Sequence, residues 1–280
     1  MAQSYTEKQI VISITIEGQT YSFPGFACAV HIKRQGAPEL PTLTAQIWGL
    51  SEDRLAQLTM LSFNALSLKP NRIRVQAGDA GQMSDVFYGE ITNSVPDFNA
   101  SPSPVLNIEA ITASFAKLEP SAPVSVSGSQ TAASLCEQFA KEAGLTFKNE
   151  GVTASVQNCT INGDPISKLE WVAQSVGADL VFDDTEVSLI PANGTRGQTA
   201  SVTVISPETG EVGYPSFDNM GIRLKTFFRP DLLIGGTCQV SSRLPRASGV
   251  WKIYSIEHDL TANHPSGGAW FTNIAATWLG

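Results

Sequence analysis

The sequence predicts a mainly β chain in which two small antiparallel β-barrels flank an α+β domain. Three observations predict it. The first is a run at the start in which Ile10, Ile12, Ile14 and Ile16 alternate with Val11, Ser13 and Thr15, the two-residue period of a strand with one apolar face. The second is a change of pattern between about 120 and 192, where two helical repeats of apolar residues replace the alternation. The third is a return to strands from Ala200 to Gly280, in an order that echoes the opening region.

In the first region, residues 1–115, Glu17-Gly18-Gln19-Thr20 reads as a turn and Tyr21 and Phe23 as the return strand, broken by Pro24-Gly25. Strands are expected over Ala29–Lys33 and Leu43–Trp48. A short helix should follow, with Ser51 as its N-cap, Glu52 and Asp53 in the positive first turn, and Leu55, Leu58 and Leu61 on one face. Further strands are expected at Arg72–Ala77, Val86–Thr92 and Leu106–Ile111, with a Pro-rich loop from Val95 to Pro104 between the last two.

The middle region, 116–196, opens on a linker, Pro120-Ser121-Ala122-Pro123. Thr131 caps a helix carrying Leu135, Phe139 and Ala143, stopped by Gly144. A second helix follows Pro165 with Ile166, Leu169, Trp171, Val172 and Val176, and ends at Gly177. Asp179–Phe182 and Glu186–Ile190 form a hairpin through Asp183-Asp184-Thr185, and Gly194 to Thr199 is an exit linker.

In the third region, 197–280, Thr237–Val240 precedes Val250–Ile256 as Arg72–Val75 precedes Val86–Ile91. Val75 to Val86 is eleven positions and Val240 to Val250 is ten. A long polar loop and one more strand close each set, Leu106–Ile111 in one and Trp270–Ala275 in the other. Any two antiparallel hairpins share some of this, but order and spacing favour two related barrels.

Composition narrows the function. Charged residues are 16% of the chain against a usual share of about 25%, which favours a chain buried in an assembly. The net charge is −8 and no Lys/Arg run exists, which argues against gripping nucleic acid by its phosphates. The basic and acidic counts are seven and ten over 1–115, five and ten over 116–196, and six and six over 197–280. Cys28, Cys136, Cys159 and Cys238 lack close spacing and read as buried reduced thiols of a chain made in a cytoplasm. No apolar leader segment opens the sequence, and no apolar run approaches the length of a membrane span.

Candidate chemistry is thin. His258, Asp259 and His264 are the nearest thing to a metal pair, but their spacing fits no ligand pattern and they read as solvated loop residues; His31 falls in a strand. Asp183, Asp184 and Glu186 form a carboxylate cluster at a hairpin tip, where Asp is favoured for turn chemistry. Gly235-Gly236 and Gly267-Gly268 lack the context of a phosphate cradle. The expectation is therefore no catalytic, cofactor-binding or metal-binding residue. Trp48, Trp171, Trp251, Trp270 and Trp278 are spread one per element, as core or interface residues are. Phe227-Phe228 before Arg229-Pro230 should place one ring inward and one against a partner.

Several ordered motifs carry a family resemblance over nearly the full length. They are Ile47-Trp48-Gly49-Leu50-Ser51, Ala77-Gly78-Asp79, Val86-Phe87-Tyr88-Gly89-Glu90-Ile91 and Ala143-Gly144-Leu145. Gly213-Tyr214-Pro215, Gly221 to Leu232, Gly249 to His258 and Gly267 to Thr272 complete the set. In this order they resemble phage tail baseplate hub proteins, the late-control protein D group and the hub half of type VI secretion spikes. The resemblance implies that the barrels are tail-tube-like and that the chain is a virion protein of the tail baseplate, assembled in the bacterial host cytoplasm. It implies a homotrimer with a pseudo-sixfold ring, whose partners are a tail tube or tube-initiator protein, a central spike protein and a tape measure protein. DNA would pass through the lumen without specific binding, and no part would insert in a membrane. The alternatives are a receptor- or glycan-binding tail module and the hub of a phage-derived contractile injection system.

Overall fold

The computed structural model describes residues 7–59, 70–100, 103–197 and 202–279. The chain is mainly β, with 51% of residues in strands and 12% in helices. It begins with β1 (Lys8–Ile16), β2 (Gln19–Pro24), β3 (Ala27–Gln35), β4 (Thr42–Trp48), α1 (Glu52–Leu58), β5 (Arg72–Asp79), β6 (Gln82–Asp97) and β7 (Val105–Ile111). The middle holds β8 (Val124–Thr131), α2 (Ala132–Glu142), β9 (Thr146–Asn149), β10 (Ser155–Ile161), α3 (Pro165–Ser175), β11 (Ala178–Phe182) and β12 (Glu186–Pro191). Last come β13 (Thr203–Ile205), β14 (Ser216–Phe217), β15 (Ile222–Phe227), β16 (Thr237–Val240), β17 (Gly249–Ala262) and β18 (Trp270–Trp278).

These elements fall into two compact units. The first takes the described parts of 1–32, 42–111 and 258–271; the second takes 33–41, 112–257 and 272–279. In the first unit the strand order is the C-terminal part of β17, then β3, β4, β7, β6, β5, β1 and β2. β1 shows why these residues form strands. Ile10, Ile12 and Ile14 are each 1% exposed, while Ser13 and Thr15 pair across to the hydroxyls of Ser22 and Thr20 at 2.8 and 2.9 Å. Burying one such aliphatic side chain contributes roughly 1.5–3 kcal/mol, so this register is strongly preferred over its one-residue slip. The core continues through Ile73, Val75, Phe87, Leu106 and Ile108, and α1 adds Leu55 and Leu58. Ser51 Oγ accepts from the Arg54 amide to cap α1, as expected, whereas Leu61, the third residue of the expected face, lies outside the described residues.

In the second unit β14, β15, β18 and β17 lie side by side, β16 pairs with the N-terminal part of β17, and β13 pairs parallel to β16. The expected barrels are corrected here: neither run of strands closes on itself. Among the described residues β2 pairs only with β1 and β14 only with β15. Closure needs two neighbours for every strand and a matching stagger. β14 is two residues long, and β2 stops at Pro24, which lacks the amide a further ladder would use.

The middle residues form the two helices and the hairpin that the sequence predicts, with three strands it did not reveal: β8, β9 and β10. β8 and β10 are Ser/Thr/Gln-rich, with Val126, Val156 and Ile161 as their only fully buried apolar residues, so little alternation marks them. Thr131 caps α2, Asp164 caps α3 by accepting from the Ser167 amide at 2.9 Å, and Pro165 fills the first helical position. Lys168 on α3 is wholly buried. Its Nζ donates to Ser121 Oγ at 2.5 Å and to Ala122 O at 2.6 Å, 5.2 Å from the Phe139 ring centre. The expected linker Pro120–Pro123 is therefore pinned to the helix by a charge-assisted contact. Residues 198 and 199 of the exit linker lie outside the described residues.

Candidate interaction surface

The most conspicuous surface belongs to the second unit, at the β14–β15 edge. Along β15, Ile222, Leu224 and Thr226 point inward, while Arg223, Lys225 and Phe227 point outward. Gly221 permits this strand to start against its neighbour, since a Cβ there would stand 2.1 Å from the Ala276 carbonyl oxygen. A tight turn precedes it: Asp218 Oδ1 accepts from the amides of Met220 and Gly221 at 2.8 and 2.9 Å, and Oδ2 accepts from Arg223 Nε at 2.7 Å. The Arg223 bond is the main reason the Asp218 carboxyl sits below its usual range.

This turn presents large apolar groups to solvent. Tyr214 is 65% exposed, Phe217 54%, Met220 60% and Phe227 58%. Phe228 beside it is half-buried. Beside Tyr214 runs an open groove of about 350 Å³, with Arg223, Lys225, Ser255, Glu257 and Asn273 in its walls. Exposed aromatics and an arginine at a short strand edge are residue types enriched at protein interfaces.

The carboxylates at the hairpin tip are held by the turn and by two arginines. Asp183 and Glu186 close the β11–β12 turn through their backbone, with the Asp183 amide donating to Glu186 O at 2.8 Å. Their side chains meet two arginines that nothing in the local sequence announces. Arg196 Nη1 donates to Asp183 Oδ2 at 3.0 Å and Nη2 to Glu186 Oε1 at 2.8 Å, while Arg34 Nη2 donates to Asp184 Oδ1 at 2.7 Å. Burial by itself pushes the Asp183 carboxyl up, but the charges of Arg34 and Arg196 outweigh it and hold the group below its usual range. A carboxylate clamped in this way stays ionised at neutral pH.

The histidines are also relocated. His258 is not in a loop: β17 runs on to Ala262 and buries it to 1% exposure. The reason is that β17 continues its alternation beyond the expected strand end, with Leu260 and Ala262 also buried. Asp259 points the other way, and its Oδ1 accepts a hydrogen bond from His31 Nδ1 at 2.6 Å. His264 stacks edge-on against Trp48, ring centres 4.9 Å apart, and shares a hydrogen bond with Ser266. Among the described residues no group of three or more His, Cys, Asp or Glu side chains is placed to hold a metal ion, and no helix is long and apolar enough to cross a membrane.

A family model described as baseplate hub gp41 matches residues 25–266. The chain belongs to the baseplate hub gp41 family. Solved structures agree on the fold. The 43 kDa tail protein of prophage MuSo2 from Shewanella oneidensis superposes with a TM-score of 0.66 at 12% identity, covering 98% of this chain and 97% of that one. A tail protein from Neisseria meningitidis MC58 gives 0.65 at 11% identity, with 96% of each chain covered. The E. coli c3393 protein, described as a type VI secretion system component similar to T4 tail proteins gp27 and gp5, gives 0.59 at 9% identity, covering 94% of this chain and 76% of that one. No curated protein sequence matches. The family resemblance expected from the sequence thus holds, and the hub-family match contains most of the motifs that carried it, from Ile47 to His258.

Two of those motifs prove to be packing devices of this hub-family chain. In Val86-Phe87-Tyr88-Gly89, the Phe87 ring is fully buried and lies over the Gly89 backbone. In Gly249-Val250-Trp251, a Cβ on Gly249 would stand 2.4 Å from the Trp278 ring, and Trp251 is core.

Proposed function

We propose that the chain is the structural baseplate hub of a phage tail. Three copies form a pseudo-sixfold ring that joins the tail tube, or its initiator, to the central spike. In this reading residues 1–115 and 197–280 supply two tube-like parts per copy, with 116–196 between them. The lumen holds the tape measure protein and later passes DNA. The observation that carries the reading is the family match over 25–266.

Physical features of the chain support it. Among the described residues strands β2, β13 and β14 each have one paired side, and such edges are usually short, guarded or used for pairing. The exposed apolar groups at the β14–β15 edge need cover in the particle. A ring built from side-by-side contacts needs two different faces per copy, which a chain with distinct edges provides. The lack of a basic run suits a conduit that DNA slides through. The role is mechanical, with no catalytic step. The fold likeness to the E. coli type VI component makes the hub of a contractile injection system the second reading.

The test is the mass of the purified chain by multi-angle light scattering, alone and with candidate spike and tube proteins. A trimer, alone or on adding a partner, is expected. A monomer indifferent to every structural partner would remove the ring.

A further inference from the structure

Between Ser206 and Tyr214 the second unit folds a hollow of about 210 Å³, walled by Pro207, Glu211, Gly213, Tyr214, Ser242 and Arg243. Glu211 is fixed in its wall by the backbone. Its amide donates to Ser206 O at 2.8 Å, and it bridges Thr226 on β15. Its Oε1 is buried and has no hydrogen-bond partner among the described residues. Leaving a buried acceptor without a donor is unfavourable, more so when it is charged, so this oxygen favours a ligand that brings a donor. Burial raises the affinity of the Glu211 carboxyl for a proton; the nearby Ser242 side chain opposes this and the Glu208 charge adds to it. The cation in the same wall, Arg243, is exposed and has Glu208 for company, so it does not supply the missing donor.

We propose that this hollow seats one lysine side chain of an extended segment from a partner protein, which lies over Tyr214 and continues into the adjoining groove. The chemistry selects the ligand. An ammonium brings three donors and no acceptor, and it enters a wall that offers an unmatched carboxylate oxygen. Tyr214 is shared by the hollow and the groove, and its exposed ring gives the lysine stem an apolar face and the ammonium an electron-rich one. In the groove, the exposed Ser216 offers a hydrogen bond to a passing backbone. This site does not depend on the ring: it would serve a hub or any other protein built on this chain.

The experiment titrates the ¹⁵N-labelled chain with a capped valine-lysine-valine-serine-valine peptide and with the same peptide carrying norleucine for lysine. The lysine peptide should saturate with a Kd on the order of 1 mM and move the Gly213 and Tyr214 amide signals, and norleucine should bind about tenfold more weakly. Glu211→Gln should also weaken the lysine peptide about tenfold, and Tyr214→Ala, at an exposed position, should weaken it with an unchanged melting temperature. Equal binding of the two peptides, absence of saturation, or wild-type affinity in Tyr214→Ala would overturn the site. So would wild-type affinity in a folded Glu211→Gln. Any of these results would leave the mass measurement, and with it the ring, untouched.

Discussion

The ring of Phe87 occupies the space where a side chain on Gly89 would begin: a Cβ there would stand 2.8 Å from two ring carbons and 3.1 Å from the Ile111 carbonyl carbon. Phe87 and Gly89 are two apart on β6, so the aromatic folds back along its own strand and the glycine gives it room. Gly89→Ala should therefore destabilise by about 1–3 kcal/mol, as overpacked cores do. Urea unfolding reads this as a lower midpoint at an unchanged slope. Phe87→Leu in the same chain should recover part of the loss, and an alanine that costs nothing would mean the ring is free to move aside.

Trp251 and Trp278 meet edge to face, ring centres 4.9 Å apart at 72°, but the two rings have different standing. Trp251 is 4% exposed within the second unit's core, and its Nε1 donates to Ala247 O at 2.9 Å; Trp278 is half exposed. Trp251→Ala should cost about 3–5 kcal/mol, Trp278→Ala distinctly less. Chemical denaturation of both variants measures the order. A Trp251→Ala loss under about 1 kcal/mol would place that ring on a surface.

The fold was legible where apolar residues repeat with a clean period. β1, β15 and β17 announce themselves by alternation, and α2 and α3 by their caps and terminal glycines, Gly144 and Gly177. β13 and β14, of three and two residues, are too short to carry a period, and β8 and β10 are too polar. Closure into barrels was not legible, because it depends on the partners of the end strands and not on any strand's own pattern. At the hairpin tip the turn was legible but its clamps were not: Arg34 lies 150 positions from Asp184. The hollow at Glu211 left no sequence signal, since a lone Glu between Gly210 and Val212 looks like any loop acid.

The thiols divide by burial. Cys28, Cys136 and Cys238 are buried, which pushes their thiols up to about 11, 12 and 12 respectively. Cys159, expected to be buried with them, is half-exposed on β10, whose outer side is polar. A thiolate is the reactive form, so a disulfide reagent at mildly alkaline pH should label Cys159 alone in the folded chain and all four thiols after unfolding. Cys159→Ser should abolish the native labelling. Rapid native reaction in that variant would mean that one of the other three elements opens readily.

Arg196 is the centre of the ionic clamp and gives it a pH signature. Its guanidinium is buried and holds both Asp183 and Glu186, and those carboxylates keep its own affinity for protons high against the effect of burial. Replacing it by methionine preserves bulk but leaves Asp183 facing one arginine fewer. The loss should be about 3–5 kcal/mol at neutral pH, as for other broken buried pairs. The folded Asp183 carboxyl lies below its unfolded value, so its contribution is present above the unfolded carboxylate range, near pH 4, and is lost as pH falls through the folded value. Arg196→Met removes part of that depression and leaves the rest to Arg34. The gap between wild type and variant should accordingly be widest at pH 7 and narrow as pH falls below about 4. Urea midpoints taken at several pH values measure it, and a gap that stays constant on acidification would show that Arg196 acts through packing and not through its charge.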